Sequence, residues 1–506
     1  MLSYTLRYDI VFKICRTIQN SMDGSKYYLL GINLDLIFHF VFPFLIYAIL
    51  VKFLKPRKIF VIILCIILLK ELNDFYIFYY YMDIQLKFVL SGLRDILISI
   101  SGLLMIHYFI GWIKRRFGTK KNVGGKLKIL HTMTWLAPGG GADTNVYLTI
   151  KELADEFEMH LATGGEIHHN PFTEIEGVKI YVCNDLIRPI SLWKDFKSLL
   201  YFIKLIRKEK YDIVHTHEAK AGLITRLAAF FGGCQYIIYG LHGVTFNDPM
   251  SRLRYNVLVM VEKFTVWMVD LIVSVSQDCI DEYHKKKIAL KIPVKLIYSG
   301  IDINRFVNPP SSTTLQELKE QLGIGSCDKI LINIGRFSIS KNQIQTLQAL
   351  KDVIIEHPDT KCIFVGEGAE LDNCKDYVNK HGMQKNVVFR GFTREIGELL
   401  HLADLLVITS LREGLPRVVV EASLCKVATV GFEVEGIREV LTDEESGFVV
   451  PSGDVKKLTS RIIDMLDNED LRSKFAQKSF EYTKSRWDHH FMVDELRQIY
   501  NSSSEQ

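Results

Sequence analysis

The sequence has almost no net charge and no closely spaced cysteine pair. Its 62 Lys and Arg residues nearly balance 58 Asp and Glu residues, which leaves a formal net charge of +4. A nucleic-acid-binding protein depends on a strongly basic surface, so the composition indicates no nucleic-acid partner. The nine cysteines include no C-x-x-C spacing, which argues against a disulfide scaffold or a structural zinc site. No short apolar core with a small-residue cleavage site opens the chain, and we therefore expect no removable signal peptide.

Apolar residues are instead concentrated near the beginning of the chain. The mean hydropathy of +0.12 is high for a soluble protein. Three apolar runs, residues 32–54, 59–82 and 88–113, are each long enough to cross ~30 Å of hydrocarbon. Basic residues lie between the first two runs and again at 114–116, so by the positive-inside bias everything after the third run is cytoplasmic. The sequence thus predicts residues 1–121 as an all-α membrane region with about three transmembrane helices, in a bacterial-type cytoplasmic membrane.

Ionisable side chains interrupt these apolar runs. Charge inside a bilayer is costly and tends to be functional, so one interpretation is a polar cavity shared by the helices. The alternative is that these residues lie near the ends of the spans, where snorkelling or interfacial water satisfies them. The residues concerned are Asp35, His39, Lys70, Glu71, Asp74, Arg94 and Asp95. Five of them weakly resemble the arrangement in VanZ-like membrane domains, namely Asp35, His39, Glu71, Arg94 and Asp95.

From residue 126 onwards, short apolar runs alternate with amphipathic helical stretches. This alternation predicts parallel sheets with crossover helices. The units are too many for one doubly wound sheet, and residues 304–326 are rich in Pro, Ser, Thr and Gly. We therefore predict two Rossmann-like domains, 126–303 and 304–480, with a linker near 300–315 and a cleft between the carboxyl ends of their strands. The predicted strands are 128–131, 212–215, 236–239, 271–274, 330–333, 362–365, 387–389, 405–408 and 427–430, and the clearest predicted helix is 144–157.

The strongest local motif is the segment Glu-Gly-Leu-Pro-Arg-Val-Val-Val-Glu, which begins at Glu413 and ends at Glu421. Pro416 suits the first turn of a helix. The backbone N–H groups of Gly414 and Leu415 would then form an anion site at a helix N-terminus. The two carboxylates cannot share one spot, but they can hold different parts of one extended ligand. On pattern alone, a capped helix with one solvated Glu is an equally good interpretation.

This segment resembles the E-x7-E signature of family 4 retaining glycosyltransferases, which have the two-domain GT-B fold. Other segments resemble further landmarks of that family in the same order, and together they cover nearly all of residues 126–500. Trp487 resembles part of the family's terminal helix, which implies that residues 481–506 return to the first domain. The other matching segments are 138–142, 214–222, 240–243, 333–336 with Lys341, 364–368, 391–392 and 446–451.

The resemblance implies roles for individual residues. Glu421 would bind the ribose of a nucleotide-sugar, Glu413 would lie near the donor sugar hydroxyls, and His242 would lie near the reacting sugar. Arg336 and Lys341 would clamp the diphosphate, since a guanidinium fork and a compact ammonium both suit phosphate oxygens. The alternatives are ordinary surface charge for the cations and a hydrogen-bonded turn residue for the histidine. Further residues expected at the substrate are Gly139, Gly140, Gly141, Gly366, Glu367, Phe392, Gly414, Leu415 and Pro416.

Two other chemistries fit the motifs less well. A dinucleotide fingerprint over the glycine loop would need Gly at the position of Thr144. His215 and His217 could suggest a metal pair, but we find no further ligands at suitable spacing. We therefore expect no metal and no cofactor.

The sequence thus predicts a membrane-anchored retaining glycosyltransferase. It would move a sugar from a nucleotide-sugar to a lipid-linked or other cell-envelope glycan acceptor, for example one linked to polyprenyl phosphate, and membrane lipids would be further partners. Two alternatives stay open. One is another GT-B enzyme, such as a nucleotide-sugar epimerase or a phosphorylase, and the other is a lipid-binding membrane protein with an inactive transferase domain.

Overall fold

The chain forms two compact units, residues 1–105 and 106–506. Among the helices that the structure describes, none combines the length and the apolar character that a bilayer crossing needs. The three predicted spans, apart from the first two residues of the first span, lie outside the described residues, as do their ionisable side chains. The computed structural model describes the backbone of residues 28–29 and 32–33, and it describes residues 125–136, 140–165, 170–244, 251–289 and 291–503.

The first unit contains a pair of very short strands. Strand β1 (Tyr28–Leu29) pairs antiparallel with β2 (Ile32–Asn33). The expectation that residues 1–121 are entirely α-helical is therefore wrong at these four positions.

The second unit begins with a sheet of seven parallel strands. These are β3 (Lys128–Thr132), β4 (Glu158–Gly164), β5 (Lys179–Cys183), β6 (Ile213–His217), β7 (Tyr236–Leu241), β8 (Leu271–Ser274) and β9 (Val294–Leu296). Their spatial order is β5-β4-β3-β6-β7-β8-β9. The connecting α-helices are α1 (Gly141–Leu153), α2 (Leu192–Glu209), α3 (Ala219–Gly232), α4 (Arg252–Thr265) and α5 (Gln277–Lys285), and two 3-10 turns lie at Pro171–Glu174 and Val266–Met268.

A second sheet has six parallel strands. These are β10 (Lys329–Ile334), β11 (Thr360–Val365), β12 (Val387–Gly391), β13 (Leu405–Ile408), β14 (Ala428–Phe432) and β15 (Phe448–Val450). Their spatial order is β12-β11-β10-β13-β14-β15. The helices of this part are α6 (Asn304–Val307), α7 (Ser312–Gln321), α8 (Gln343–Glu356), α9 (Leu371–Lys380), α10 (Ile396–Leu402), α11 (Arg417–Leu424), α12 (Val455–Asp467) and α13 (Glu469–Lys484), with a 3-10 turn at Ile437–Glu439. The prediction of two Rossmann-like domains is confirmed.

The chain crosses between the domains twice, and the two crossings lie side by side. Ile301 N–H donates to the Trp487 carbonyl at 2.8 Å, and His489 N–H donates to the Ile301 carbonyl at 3.0 Å. The last helix, α14 (His489–Ser502), then packs into the core of the first domain. Its residues in that core are Met492, Val493, Leu496, Ile499 and Tyr500.

The structure differs from the sequence-based expectations in a few local elements. The stretch 304–326, whose composition suggested a linker, instead contains the helices α6 and α7. Helix α7 is capped by Ser311, whose side chain accepts from the Thr314 N–H at 3.1 Å. Strands β4, β5, β9 and β15 are absent from the predictions. In β4, the buried polar residues His160 and Thr163 hide the strand pattern, and β9 and β15 are only three residues long.

Candidate active site

One part of the site is the turn that follows β10. Gln343, the first residue of α8, donates from Nε2 to the carbonyl oxygens of Gly335 at 3.3 Å and Arg336 at 3.1 Å. The loop after β11 packs against this turn, backbone on backbone. Gly366 there has a φ of +135°, and a Cβ would overlap the Gly335 carbonyl oxygen, so only glycine fits. These contacts hold the backbone of Arg336 at the carboxyl edge of the sheet.

Lys341 and Glu413 are in direct contact. Lys341 Nζ donates to Glu413 Oε1 at 2.5 Å, and the same oxygen accepts from Ser410 Oγ at 2.6 Å. The Lys341 side chain is 29% exposed and that of Glu413 is 11% exposed, so the pair is accessible but largely desolvated. An ammonium has three protons, and Lys341 can therefore hold Glu413 and a further anion together.

The segment between β13 and α11 lies where the domains meet. Pro416 has φ −75° and ψ 83° and precedes the helix, which begins at Arg417. The sequence predicts Pro416 inside the first turn, which is one residue too early for the helix. A Cβ at Gly414 would overlap the carbonyl oxygen of His242 in the other domain. The N-terminus of α11, a position that favours anions, is thus placed at the domain boundary.

Arg417 is a site residue that the sequence analysis did not single out. Its Nη1 donates to Asn145 Oδ1 and to the Gly300 carbonyl, both at 2.8 Å and both in the first domain. Its stem passes Gly141, where a Cβ would lie 2.9 Å from Arg417 Cδ. Burial raises the pKa of Glu421 on the same helix, and the charge of Arg417 opposes that rise. Arg417 therefore connects the glycine loop with the predicted ribose-binding carboxylate.

Two guanidinium groups lie over the ring of Trp135, which follows β3. The Arg188 Cζ is 4.2 Å and the Arg336 Cζ is 4.5 Å from the ring centroid. Burial, followed by the charge of Arg188, lowers the pKa of Arg336. The two like charges act against one another, so an anionic ligand beside them would be stabilised.

Glu218 adds a carboxylate that sequence reasoning also missed. It follows β6 with a φ of 61°, a left-handed conformation that costs a non-glycine residue about 1–3 kcal/mol. Its Oε2 accepts from the Thr134 N–H at 2.8 Å. Burial raises the pKa of Glu218, and Arg188 and Arg336 oppose the shift. Glu218 lies within the matching segment 214–222, directly after His-Thr-His, but the resemblance was not used to assign it a role.

His242 follows β7, and its Nε2 lies 2.9 Å from His217 Nδ1. Burial, followed by the charge of Arg417, lowers the pKa of His242 to about 4, so its ring is neutral at pH 7. The sequence offers His215 and His217 as a metal pair without a third ligand. The structure adds His131, and the candidate ligand nitrogens of these three residues lie within 4.8 Å of one another.

The remaining predicted residues differ in what they can offer a ligand. Gly139 lies outside the described residues, whereas Gly140 stands directly before α1 and accepts its first backbone hydrogen bond. Glu367 and Phe392 are exposed after β11 and β12. The side chain of Leu415 is buried in the hydrophobic core, so only its backbone can serve a ligand.

Two Rossmann-like domains thus meet at strand ends that carry carboxylates, cationic side chains and a helix N-terminus. This combination of fold and site defines the GT-B class of glycosyltransferases. Residues 139–305 match the model of Glycosyltransferase Family 4, and residues 315–482 match that of Glycosyl transferases group 1. The chain is a GT4-like glycosyltransferase.

Known proteins support this assignment over most of the described region. UDP-Gal:alpha-D-GlcNAc-diphosphoundecaprenol alpha-1,3-galactosyltransferase of Escherichia coli is 27% identical over 362 residues, which cover 69% of this chain and 91% of that enzyme. Capsular polysaccharide biosynthesis glycosyltransferase CapM of Staphylococcus aureus is 25% identical over 322 residues, which cover 62% and 83%. The solved structure of Anabaena Alr3699/HepE in complex with UDP and glucose has the same fold. It is 21% identical with a TM-score of 0.64, over 74% of this chain and 100% of that one.

Proposed function

We propose that this enzyme transfers a sugar from a nucleotide-sugar, with retention of anomeric configuration, to a lipid-diphosphate-linked glycan of the cell envelope at a membrane. The observation that carries the proposal is the contact between Lys341 and Glu413, close to the N-terminus of α11 and in the same domain as Arg336. A nucleotide-sugar needs cations for its diphosphate and carboxylates for its sugar and ribose hydroxyls. The Anabaena relative binds UDP and glucose, which supports a donor of this kind.

The cations act on the leaving group. When the bond between the anomeric carbon and the phosphate oxygen breaks, negative charge develops on the diphosphate, and Arg336 and Lys341 stabilise it. The acceptor oxygen attacks the same face of the sugar, and its proton passes to the departing phosphate oxygen. Glu413 contacts a sugar hydroxyl and Glu421 the ribose. Glu218 is held by the Thr134 N–H and beside Arg336, and we assign it no nucleophilic role.

The acceptor proposal draws on an exposed apolar surface beside the cleft, which we call the α2 face. Its residues are between 49% and 84% exposed. Exposed Lys194 and Lys197 accompany them, while Asp195 is paired with Lys220 at 2.7 Å. An amphipathic surface with Trp and exposed basic charge suits the interface of an anionic membrane. The residues of the α2 face are Ile190, Leu192, Trp193, Phe196 and Leu200.

The α2 face is continuous in sequence with the cleft. It begins two residues after Arg188, whose guanidinium shares the Trp135 ring with Arg336. A lipid-linked acceptor could therefore leave its lipid in the membrane, place its diphosphate near Arg188 and extend its glycan to the donor. The E. coli relative uses an acceptor of this kind, GlcNAc-diphosphoundecaprenol. Membrane spans in residues 1–121 would hold the enzyme at the same surface, on the cytoplasmic side.

The test is a transfer assay with the full chain in liposomes that contain GlcNAc-diphosphoundecaprenol. UDP-galactose, UDP-glucose and UDP-GlcNAc are supplied in turn, and the anomeric configuration of the product is read by NMR. We expect an α-linked product from one of these α-configured donors. A β-linked product would refute retention. A free epimerised nucleotide-sugar, or a sugar phosphate, would indicate the epimerase or the phosphorylase alternative.

A matched pair of variants tests the role of the α2 face. Trp193→Ser with Phe196→Ser should lower transfer to the lipid-linked acceptor by about tenfold, since two aromatic anchors are lost. The same variant should transfer normally to a water-soluble acceptor with a short chain. Ile355→Ser, at an equally exposed site on α8 (76%), is the control and should alter neither rate. Equal losses with both acceptors would remove the membrane role from this surface.

A further inference from the structure

Four histidines and one tyrosine form a continuous hydrogen-bonded chain that ends at the active site. His242 Nε2 lies 2.9 Å from His217 Nδ1, and His217 Nε2 lies 3.0 Å from His131 Nδ1. Tyr500 Oη lies 3.4 Å from His131 Nε2 and 2.8 Å from His215 Nδ1. Tyr500 is on α14, so this chain of hydrogen bonds links the terminal helix with the site.

All the groups of this chain are neutral at pH 7. Burial lowers the pKa of His131 to about 3 and that of His242 to about 4, and it lowers the pKa values of His215 and His217 well below the usual range. Burial also raises the pKa of Tyr500, which keeps its proton. A neutral imidazole has one N–H and one lone pair. The direction of one hydrogen bond therefore fixes the direction of every other bond along the chain.

When the Tyr500 proton lies in one of its two hydrogen bonds, only two directions are possible. In the first, Tyr500 donates to His131, His131 donates from Nδ1 to His217, and His217 donates from Nδ1 to His242. The free nitrogen of His242, Nδ1, then carries a proton. In the second, Tyr500 donates to His215 and every other bond is reversed, so that Nδ1 of His242 is a bare lone pair.

Two considerations select the first direction. His215 Nε2 has no hydrogen-bond partner among the described residues, and the His215 side chain lines a cavity of about 30 Å³ together with His217 and His242. In the first direction this atom is a lone pair, whereas in the second it would be an orphaned N–H, which proteins avoid more strictly. The first direction also offers an N–H at His242, and sugar and phosphate oxygens are hydrogen-bond acceptors.

A metal ion is a poorer explanation of the cluster. Holding one on His131, His215 and His217 would require a lone pair from each ring, and it would break the 3.0 Å hydrogen bond between two of them. The five side chains of the cluster include no carboxylate to balance the charge. The charge that acts on the pKa of His242, after burial, is that of the cation Arg417, which lowers it.

We infer that Tyr500 is a positioning residue for the transfer reaction: its hydroxyl, donated to His131, sets the chain so that His242 presents an Nδ1–H to the donor sugar. The inference rests on the proposed function only for its activity readout. The geometry also explains why three polar rings occupy the interior of a sheet, where apolar side chains would otherwise pack.

The test compares two buried tyrosines that each bond a histidine. Tyr500→Phe removes one hydroxyl and keeps the ring, which packs edge-on against Phe157 at 5.7 Å. Tyr211→Phe is the control, because Tyr211 Oη forms a hydrogen bond of 2.8 Å with His160 Nδ1 in the same domain. This pair is not part of the chain of hydrogen bonds that leads to His242. The full-length protein with ¹⁵N-labelled histidine is placed in nanodiscs, with UDP bound. Solid-state NMR then reads the histidine tautomers, and a His242→Gln sample assigns that signal.

We expect Tyr500→Phe to lower turnover about tenfold, with UDP affinity within twofold of the wild type and a mixture of His242 tautomers. Tyr211→Phe should change neither turnover nor the His242 signal. Adding His131→Asn to Tyr500→Phe should restore most of the turnover, because the amide N–H can donate to His217 without the hydroxyl. This rescue separates the relay from a loss of packing.

Three results would overturn the inference. The first is that Tyr500→Phe has the turnover of the wild type. The second is that Tyr500→Phe loses turnover while the His242 tautomer is unchanged. The third is that Nδ1 of His242 carries no proton in the wild type. If no UDP-sugar is transferred or hydrolysed by any protein in the set, the proposed function fails. The tautomer comparison with UDP still decides the inference in that case.

Discussion

The contact between Lys341 and Glu413 leads to the sharpest prediction. Lys341→Ala removes an ammonium that lies 2.5 Å from Glu413 Oε1 and that we place on the departing diphosphate. Loss of one preorganised charge partner costs ~3 kcal/mol of transition-state stabilisation, which corresponds to about a hundredfold in turnover. Glu413→Gln keeps the shape of the side chain but removes the charge that orients the ammonium. We expect it to lower turnover by about ten- to a hundredfold, with a smaller effect on donor affinity.

The double variant tells whether the two residues act as a unit. If Glu413 works by holding Lys341 in place, the double variant should be about as slow as the slower single variant. The measurement is the initial rate of transfer in liposomes at saturating donor, with melting curves to verify folding. Lys478→Ala is the control, because it breaks an exposed contact of 3.5 Å with Glu445 and should leave the rate unchanged. If the turnover of the double variant fell by the product of the two single fold-losses, the coupling would be refuted.

Three further predictions concern binding and stability. Glu421→Gln should weaken UDP binding in calorimetry while turnover at saturating donor changes little, because ribose contacts are alike in the ground and transition states. His131 has a folded pKa of about 3 against an ordinary 6.5, so the unfolded chain takes up its proton first as the pH falls. Denaturant unfolding should therefore find less stability at pH 5 than at pH 7, by on the order of 1 kcal/mol per buried histidine. Glu262→Ala should cost about 3–5 kcal/mol in the same assay, because it leaves the guanidinium of Arg226, bonded at 2.9 and 3.1 Å, buried and unpaired.

The local sequence pattern was sufficient to predict a strand where neighbouring residues alone determine the structure. The predicted strands 271–274 and 405–408 have the bounds of β8 and β13, because each is a short apolar run buried along its whole length. Strand β4 was missed since its buried His160 bonds Tyr211, 51 residues away, and such a partner makes a polar residue acceptable in the core. Strand prediction therefore failed where tertiary hydrogen bonds replace apolar character.

The same distinction applies to the site. The Glu413 motif could be found because its residues are contiguous and resemble a family signature. The partner of Arg417, in contrast, is 272 residues away, and no local pattern links it with Asn145. Tyr500 is 285 residues from His215, whose ring its hydroxyl contacts. This contact likewise could not be predicted from the sequence, because it depends on the packing of α14 in the core of the first domain.

The position of α14 has a consequence for anyone who divides this enzyme into parts. A fragment that ends at residue 303 would lack Met492, Val493, Leu496 and Ile499, and it would expose the apolar surface that they cover. The complementary fragment would carry α14, which packs against the first domain and would hold the two fragments together. Proteolysis between the domains should therefore leave a nicked enzyme whose halves stay associated. A soluble first domain would need α14 fused to it through a designed loop, and circular permutation is the natural way to supply that fusion.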